Sequence, residues 1–233
     1  MAVKDAEFRF ARSLFVFLEE LAENNRRDWF QDNKQRYEDE VVAPVMAFIE
    51  AMRPRLHLIS AHFLALTGKT GGSMMRIYRD VRFSKNKQPY KTNVGIQFRH
   101  ALGRDIHAPG FYVHLEPESC FLGAGIWSPA SDALGAIRSH IDQNPKAWIR
   151  ARDSKAFNEV YDLSNEDSLK TAPKGYAKDH PLIEDLRRKH FIGARNLTDK
   201  EVYDKGFTKL AADTFRASKP LMKFLCEALG VAF

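Results

Sequence analysis

Cysteine and long uncharged runs are scarce in this sequence of 233 residues. The two cysteines, Cys120 and Cys226, are too few for a disulfide framework and lack CxxC spacing, which predicts a reducing, cytoplasmic location. The longest stretches without a charge are Leu56–Gly68 and Ser119–Ser131. Both are shorter than the ~18 apolar residues that a membrane-spanning helix needs. The first seven residues contain acidic side chains and no apolar run, so they do not predict a secretory signal.

Proline and glycine are also infrequent, with 10 and 13 residues, which excludes collagen-like and linker-dominated chains. The hydrophobic fraction is 44%, which is too high for a disordered chain. Length and composition together predict a globular protein, and we expect a single domain over residues 1–233 with no membrane association.

Positive charge is concentrated in one segment. The formal net charge is +6, yet residues 69–104 contain nine basic residues and one acidic residue, Asp80. This segment therefore carries +8, and the remainder of the chain carries −2. A local cationic surface attracts phosphate, nucleotides, nucleic acid or acidic proteins. The alternative is a solvated basic edge that protects an exposed strand from pairing with other chains.

Helical periodicity dominates both ends of the chain. Apolar residues recur at three- and four-residue steps over residues 8–57, where Asp28 is expected to cap a helix beginning at Trp29 and Pro54 to limit the last helix. The same steps return over residues 129–230. There, Thr198 to Glu201 is a capping box, and Pro220 predicts a kink or a break in the final helix.

The middle of the chain alternates apolar and polar residues with a period of two. This pattern predicts an antiparallel sheet over about residues 74–127, with one face on a core and one face wet, built from the segments Met75–Phe83, Val94–Arg99, Phe111–Glu116 and Cys120–Trp127. The predicted fold class is therefore α+β, a central antiparallel sheet flanked by N-terminal and C-terminal helices.

The first of these segments contains unusual charges. If Met75–Phe83 is a strand, its pleat places Arg76, Asp80 and Arg82 on the polar face and Arg79 on the apolar face. Arg79 would then be either an ion-pair anchor or a ligand-binding group at a cavity edge, because an unpaired buried charge is costly. Asp80 should stay ionised between its arginines, either neutralising them or acting as a base or metal ligand.

The residues after this segment resemble a phosphate cradle. A turn over residues 84–90 contains Lys85 and Lys87, and Lys91 follows it. Lysines supply point charge and arginines supply planar donors for phosphate oxygens. Tyr90 could stack on a base or a sugar. The alternative is a surface hairpin loop with charged tips.

This block resembles a known family. The pattern R-x-x-R-D-x-R-F, followed by Asp or Asn, Lys and Tyr, occurs here as Arg76, Arg79-Asp80, Arg82-Phe83, Asn86-Lys87 and Tyr90. It is similar to the motif of a widespread family of uncharacterised bacterial and fungal proteins of about this length, and the similarity extends over essentially the whole chain. The family has no established activity, so the resemblance implies a motif and a size but no reaction or cofactor.

A second group of polar residues lies on the predicted strand Phe111–Glu116. Tyr112, His114 and Glu116 share one face of it, and that face could lie beside Asp80 and the arginines. His114 and Glu116 could form an acid–base pair or a metal pair, although Glu116 could equally be the partner of an arginine. The histidines lack the spacing of HExxH and similar motifs, so we predict no metal site.

Three hypotheses of function follow. The first is binding of a phosphate-bearing ligand, a nucleotide or nucleic acid, through the side chains of Arg76, Arg79, Arg82, Lys85, Lys87, Tyr90 and Lys91. The second is an enzyme that acts on a phosphorylated small molecule, with Asp80, His114 and Glu116 as acid–base groups. The third is a purely structural motif whose arginines are paired inside the fold.

Overall fold

Helices form the N-terminal part of the chain. The structure is a computed structural model that describes residues 8–68, 70–103 and 109–233, so Lys69 and Arg104, the ends of the basic segment, lie outside the described residues. The N-terminal elements are α1 (Arg12–Glu23), α2 (Arg27–Asp32), α3 (Lys34–Arg36), a π-helical segment (Tyr37–Val42) and α4 (Ala43–Ile59).

Two expectations for these helices are wrong in detail. Helix α2 begins at Arg27, which places Asp28 in its first turn rather than at its cap. Helix α4 continues through Pro54 to Ile59, although proline removes one hydrogen bond of the helix. Met52 and Leu56 on either side of Pro54 are fully buried, and this packing holds the helix together where the backbone alone would favour an end.

A six-stranded antiparallel sheet follows and confirms the α+β class. Within the described residues its strands are β1 (Phe63–Leu64), β2 (Val94–His100), β3 (Gly110–Leu115), β4 (Cys120–Ile126), β5 (Asp162–Leu163) and β6 (Phe191–Leu197). Their order is β1-β2-β3-β4-β6-β5. The register places His114 opposite Gly95 on one side and Phe121 on the other.

The predicted strand Met75–Phe83 is wrong. The chain bridges β2 at Met74 and then leaves the sheet as an irregular loop, which is closed by a single bridge between Tyr78 and Tyr90. Alternation of apolar and polar residues did not suffice to predict a strand here, because the segment has no continuous partner strand. Its last apolar residue, Phe83, is 96% exposed. Strands β1, β5 and β6 lie outside the range 74–127 that the alternation predicted.

Helices return after β4. They are α5 (Ser131–Gln143), α6 (Pro145–Arg152), α7 (Lys155–Asn158), α8 (Ile183–Arg187), α9 (Asp199–Val202), α10 (Phe207–Ala217) and α11 (Lys219–Ala228). The capping box is confirmed, since Thr198 and Glu201 each bond the other's backbone N–H. The break at Pro220 is also confirmed: α10 ends at Ala217, and Pro220 lies in the first turn of α11.

The two faces of the sheet have different environments. One face supplies fully buried side chains, among them Phe98, Phe111 and Leu122, to a core that it shares with α4, α10 and α11. The opposite face of the central strands is only partly covered. None of the described helices has both the length and the apolar character needed to cross a bilayer.

Candidate functional site

The partly covered face of the sheet forms a groove of about 810 Å³. Met75 and Gln97 form one wall, and residues 162–166 form the other. Trp127 stands beside the groove, half exposed and stacked on the His190 ring at 4.0 Å. The floor consists of side chains from three neighbouring strands, namely Tyr112, His114, Phe121, Ile192, Ala194 and Asn196.

Glycines keep this groove open. A Cβ atom on Gly95 would lie 2.7 Å from Tyr112 Oη and 2.9 Å from Met75 Sδ, so only glycine lets these groups lie over β2. Gly125 has a φ of +135°, and a Cβ there would lie 2.0 Å from the carbonyl oxygen of Phe191. Side chains at these two positions would either fill the groove or separate β4 from β6.

A chain of hydrogen bonds runs along β3 on the floor of the groove. The period of the strand brings Tyr112, His114 and Glu116 to the same face, as the sequence predicts. Tyr112 Oη lies 3.2 Å from His114 Nδ1, and His114 Nε2 lies 3.1 Å from Glu116 Oε2. We call these three residues the β3 relay. The ring of His114 also stacks on Phe121, with 4.7 Å between the centroids.

The partners of His114 determine which ring nitrogen carries the proton. An ionised carboxylate can only accept, so the contact with Glu116 requires N–H at Nε2. In the neutral ring Nδ1 is then an acceptor, which suits the hydroxyl of Tyr112 and the side-chain amide of Asn93, 3.5 Å away. One tautomer of the neutral ring therefore suits all three neighbours, with Tyr112 as the nearer of the two donors that share the single lone pair of Nδ1.

Electrostatics keep Tyr112 protonated. Burial, together with the negative charge of Glu116, raises the pKa of Tyr112 to about 12. The phenol is therefore a neutral donor at physiological pH.

Glu116 also connects the β3 relay to the basic segment. Its Oε1 accepts a hydrogen bond of 3.2 Å from the hydroxyl of Thr92. Among the described residues the partners of its carboxylate are thus Thr92 and His114, so the alternative interpretation of Glu116 as the partner of an arginine is wrong. The reason is that Arg76, Arg79 and Arg82 lie on the loop that leaves the sheet after Met74, whereas Glu116 directly follows β3.

The cations of the loop are mostly exposed. The side chains of Arg76, Arg82, Lys85 and Lys87 lie in solvent, whereas Lys91 is half-buried. Burial lowers the pKa of Lys91, and the positive charge of Arg76 lowers it further. Lys87 Nζ donates to the carbonyl of Val81 at 3.0 Å, across the loop.

Asp80 is held by a neighbour rather than by the groove. Both of its oxygens accept from Arg82, with Nη2–Oδ2 at 2.7 Å and Nε–Oδ1 at 2.9 Å. These bonds, with a further contribution from Arg76, lower the pKa of Asp80 to about 2, so it stays ionised as expected. Asp80 is not among the described residues that line the groove with His114, so the structure does not bring these two candidates together there.

Tyr90 is part of the core. Its side chain is 2% exposed and stacks on Phe30 at 4.2 Å. Asn25 bonds both the backbone N–H and the carbonyl of Tyr90 at 3.0 Å. The interpretation of Tyr90 as a residue that stacks on a base is therefore corrected, since such stacking would require the ring to leave this packing. The pair formed by Asn25 and Tyr90 anchors the end of the loop to the N-terminal helices.

Arg79 occupies an intermediate position. Its side chain is half-buried, and within residues 8–68, 70–103 and 109–233 it has no ion pair or side-chain hydrogen bond. The ion-pair anchor proposed for Arg79 depended on a strand, and the described residues provide neither the strand nor the partner.

The family model described as "Conserved hypothetical protein (DUF2461)" matches residues 13–224. The chain belongs to this family. No curated protein and no solved structure matches the chain. The membership of DUF2461 confirms the resemblance at the level of a family of unknown function, and it assigns no reaction to the groove.

In this DUF2461 chain, sequence reasoning missed the wall formed by residues 162–166 and the contribution of β6 to the floor. Strand β5 has two residues and pairs with β6 across almost thirty intervening residues, so no local pattern reveals it. A buried group holds this wall in place, since Arg188 Nη1 donates to the carbonyl of Ser164 while Asp185 bonds Arg188 Nε at 3.2 Å. The sequence does mark Gly95 and Gly125 as unusual positions, because a glycine inside a strand pattern suggests a bulge or a close approach of the backbone.

The described residues contain no cluster of side chains typical of a metal site. Among the described residues, no three or more His, Cys, Asp or Glu side chains lie where they could jointly hold a metal ion. The side chains in and beside the groove supply hydrogen-bonding groups, apolar surface and, through the β3 relay, a path for proton transfer.

Proposed function

We propose that this chain binds a phosphate-bearing small molecule in the groove and exchanges a proton with it through the β3 relay. One observation carries the proposal: Tyr112, His114 and Glu116 form a hydrogen-bonded chain, and Tyr112 and His114 of this chain line a cavity of about 810 Å³. Small-molecule sites have volumes of roughly 300–1,000 Å³ and combine apolar surface with a few convergent polar groups. The groove has both properties.

The position of the phosphate is supported by charge. Met75 lines the groove, and Arg76 follows it directly in the chain. Lys91 precedes Thr92, which bonds Glu116 of the β3 relay. Arg76 and Lys91 are therefore each one residue away from a group of the site, and an anion bound between them would relieve their mutual repulsion. Charge-assisted hydrogen bonds to phosphate oxygens are among the strong interactions available to such side chains.

A larger anion is a second candidate, because Arg82, Lys85 and Lys87 are exposed on one loop. A nucleic acid could follow these cations, and its affinity would then fall steeply with salt. This alternative gives no role to the partly buried relay, so the small molecule is favoured. A reducing, cytoplasmic location also stays a prediction; it is consistent with Cys120 and Cys226, which are free thiols.

A thermal-shift series tests the proposal. We expect phosphate monoesters, including sugar phosphates and mononucleotides, to raise the melting temperature, because a ligand at 100 times its Kd stabilises the folded state by about 2.7 kcal/mol. The shift should disappear in Arg76→Ala and in Lys91→Ala. It should persist in Lys146→Ala, an exposed cation on α6, which packs on α11. Equal shifts in all variants, or none in the wild-type protein, would contradict the proposal.

Nucleic acid is tested in the same series. Binding of single- or double-stranded oligonucleotides at ~50 mM salt, lost when Lys85 and Lys87 are both replaced by alanine and unaffected by Arg76→Ala, would favour the second candidate over the first.

A further inference from the structure

We propose that Tyr112 is the residue that exchanges the proton with the bound molecule, and that His114 receives this proton only through the phenol of Tyr112. This inference rests on the proposed function of the groove and deepens it. It also specifies the ligand class: a phosphate ester that gives up a proton to a base.

The enclosure of His114 is the first observation. Its Nε2 is bonded to Glu116 at 3.1 Å, and its Nδ1 is bonded to Tyr112 at 3.2 Å. One face of its ring is stacked on Phe121. Both nitrogen atoms, the only atoms of the ring that carry protons in acid–base chemistry, are therefore engaged within the protein. A ligand cannot reach either atom without displacing a member of the β3 relay.

The position of Tyr112 Oη is the second observation. The oxygen lies above Gly95, in the space that a Cβ at that position would occupy, and Tyr112 is part of the lining of the groove. A phenol has one O–H and two acceptor lone pairs. Donation to His114 uses the O–H and leaves acceptor capacity at Oη. Tyr112 is therefore the end of the β3 relay that a ligand can contact.

The proton step follows from this arrangement. The ligand bond X–H breaks, its electron pair stays on X, and the proton forms a new O–H bond at Tyr112 Oη. At the same time the original O–H bond of Tyr112 breaks and its proton forms the N–H bond at His114 Nδ1. The resulting imidazolium faces the carboxylate of Glu116, 3.1 Å away. No tyrosinate is formed, and the ligand anion accepts a hydrogen bond from the renewed phenol.

A matched pair of ligands tests this inference. Ethyl phosphate and phosphoglycolate both have two carbons, but only phosphoglycolate adds a carboxylate that imitates the ligand anion. We expect wild-type protein to bind phosphoglycolate about tenfold more tightly, because Tyr112 would donate a charge-assisted hydrogen bond to the added carboxylate. Its binding should also be coupled to proton uptake, measured by calorimetry in buffers of different ionisation enthalpy.

The variants separate the possible outcomes. Tyr112→Phe should lose the tenfold preference and the proton uptake and keep the affinity for ethyl phosphate, while Tyr203→Phe, which packs on Phe15, should change neither. Gly95→Ala, which keeps every polar group and displaces Oη, should give the same result as Tyr112→Phe. Preference and proton uptake that persist in Tyr112→Phe would overturn the inference and leave the groove proposal intact. Failure of wild-type protein to bind ethyl phosphate would overturn the proposed function and this inference with it.

Discussion

Glu116 holds His114 by a 3.1 Å hydrogen bond between Oε2 and Nε2, and Thr92 bonds the other carboxylate oxygen of Glu116. This relationship fixes the orientation of the imidazole ring and determines which of its nitrogens accepts a proton. The positive charge that His114 acquires on protonation is then adjacent to a carboxylate that is already oriented, so no rearrangement is needed during proton transfer.

Replacing Glu116 with glutamine should reverse the tautomer of His114. A glutamine amide can donate to Nε2, which would move the ring proton to Nδ1 and abolish the acceptor for Tyr112. Proton transfer in the groove should fall by about 100-fold, the lower range for loss of acid–base catalysis. Nitrogen NMR of the histidine ring measures the tautomer directly. Retention of the proton at Nε2 in Glu116→Gln would show that the carboxylate does not determine the tautomer of His114.

Gly125→Ala should destabilise the fold by about 3 kcal/mol or more, because a positive φ is strained for alanine and the new Cβ would lie 2.0 Å from the Phe191 carbonyl oxygen. Gly123 is a matched control on the same strand and face. A Cβ there would have its nearest contact at 3.5 Å, an ordinary distance, so Gly123→Ala should cost less than about 1 kcal/mol. Denaturant unfolding compares the two, and similar losses would contradict this assignment.

Asn25→Ala should release the end of the irregular loop that follows Met74 and is closed by the bridge between Tyr78 and Tyr90. It removes two hydrogen bonds of 3.0 Å to the backbone of Tyr90, and we expect a loss of about 1–3 kcal/mol in the free energy of unfolding. Trypsin should then cleave the loop faster at its lysines and arginines. Asn158→Ala, at an exposed position in α7, should change stability by no more than about 0.5 kcal/mol. Unchanged cleavage in Asn25→Ala would mean that other contacts hold the loop.

The pKa of Tyr112 predicts a loss of stability at high pH. The pKa of this phenol is raised from 10 to about 12 in the folded protein. Its contribution to the free energy of unfolding is therefore complete below pH 10. That contribution is lost as the pH rises toward 12, because the unfolded state releases the proton in this range and the folded state does not. Between pH 10 and pH 12 the wild-type protein should lose about 2–3 kcal/mol more than Tyr112→Phe. Parallel profiles for the two proteins in urea unfolding would show that the phenol is not shielded.

The relay was predictable from sequence because a strand has a fixed period of two. Once Phe111–Glu116 was taken as a strand, Tyr112, His114 and Glu116 had to share a face. The same rule failed for Met75–Phe83, because alternation specifies which face a residue occupies only if a neighbouring strand is there to pair. The chain instead leaves β2 after Met74, and Asp80 pairs with Arg82 in the loop.

Other features of the site depend on contacts between distant segments. The wall at residues 162–166 lies in the groove because β5 pairs with β6, and Arg188 holds Ser164 from behind. The local sequence predicts Tyr90 as an exposed loop residue. It is buried because it stacks on Phe30 and its backbone bonds Asn25, which lies more than sixty residues earlier in the chain. Local patterns contain no information about such partners.

The central claim is that a phosphate ester binds in the groove of the sheet. Backbone amide chemical shifts of labelled protein, followed during titration with ethyl phosphate, test it most directly. We expect saturable shifts at Gln97, Tyr112, Phe121 and Ala194, which line the groove. We expect them also at Arg76 and Lys91, the cations proposed to bind the phosphate. Shifts confined to Lys85 and Lys87 at the exposed loop, or no saturable shifts at all, would contradict the claim.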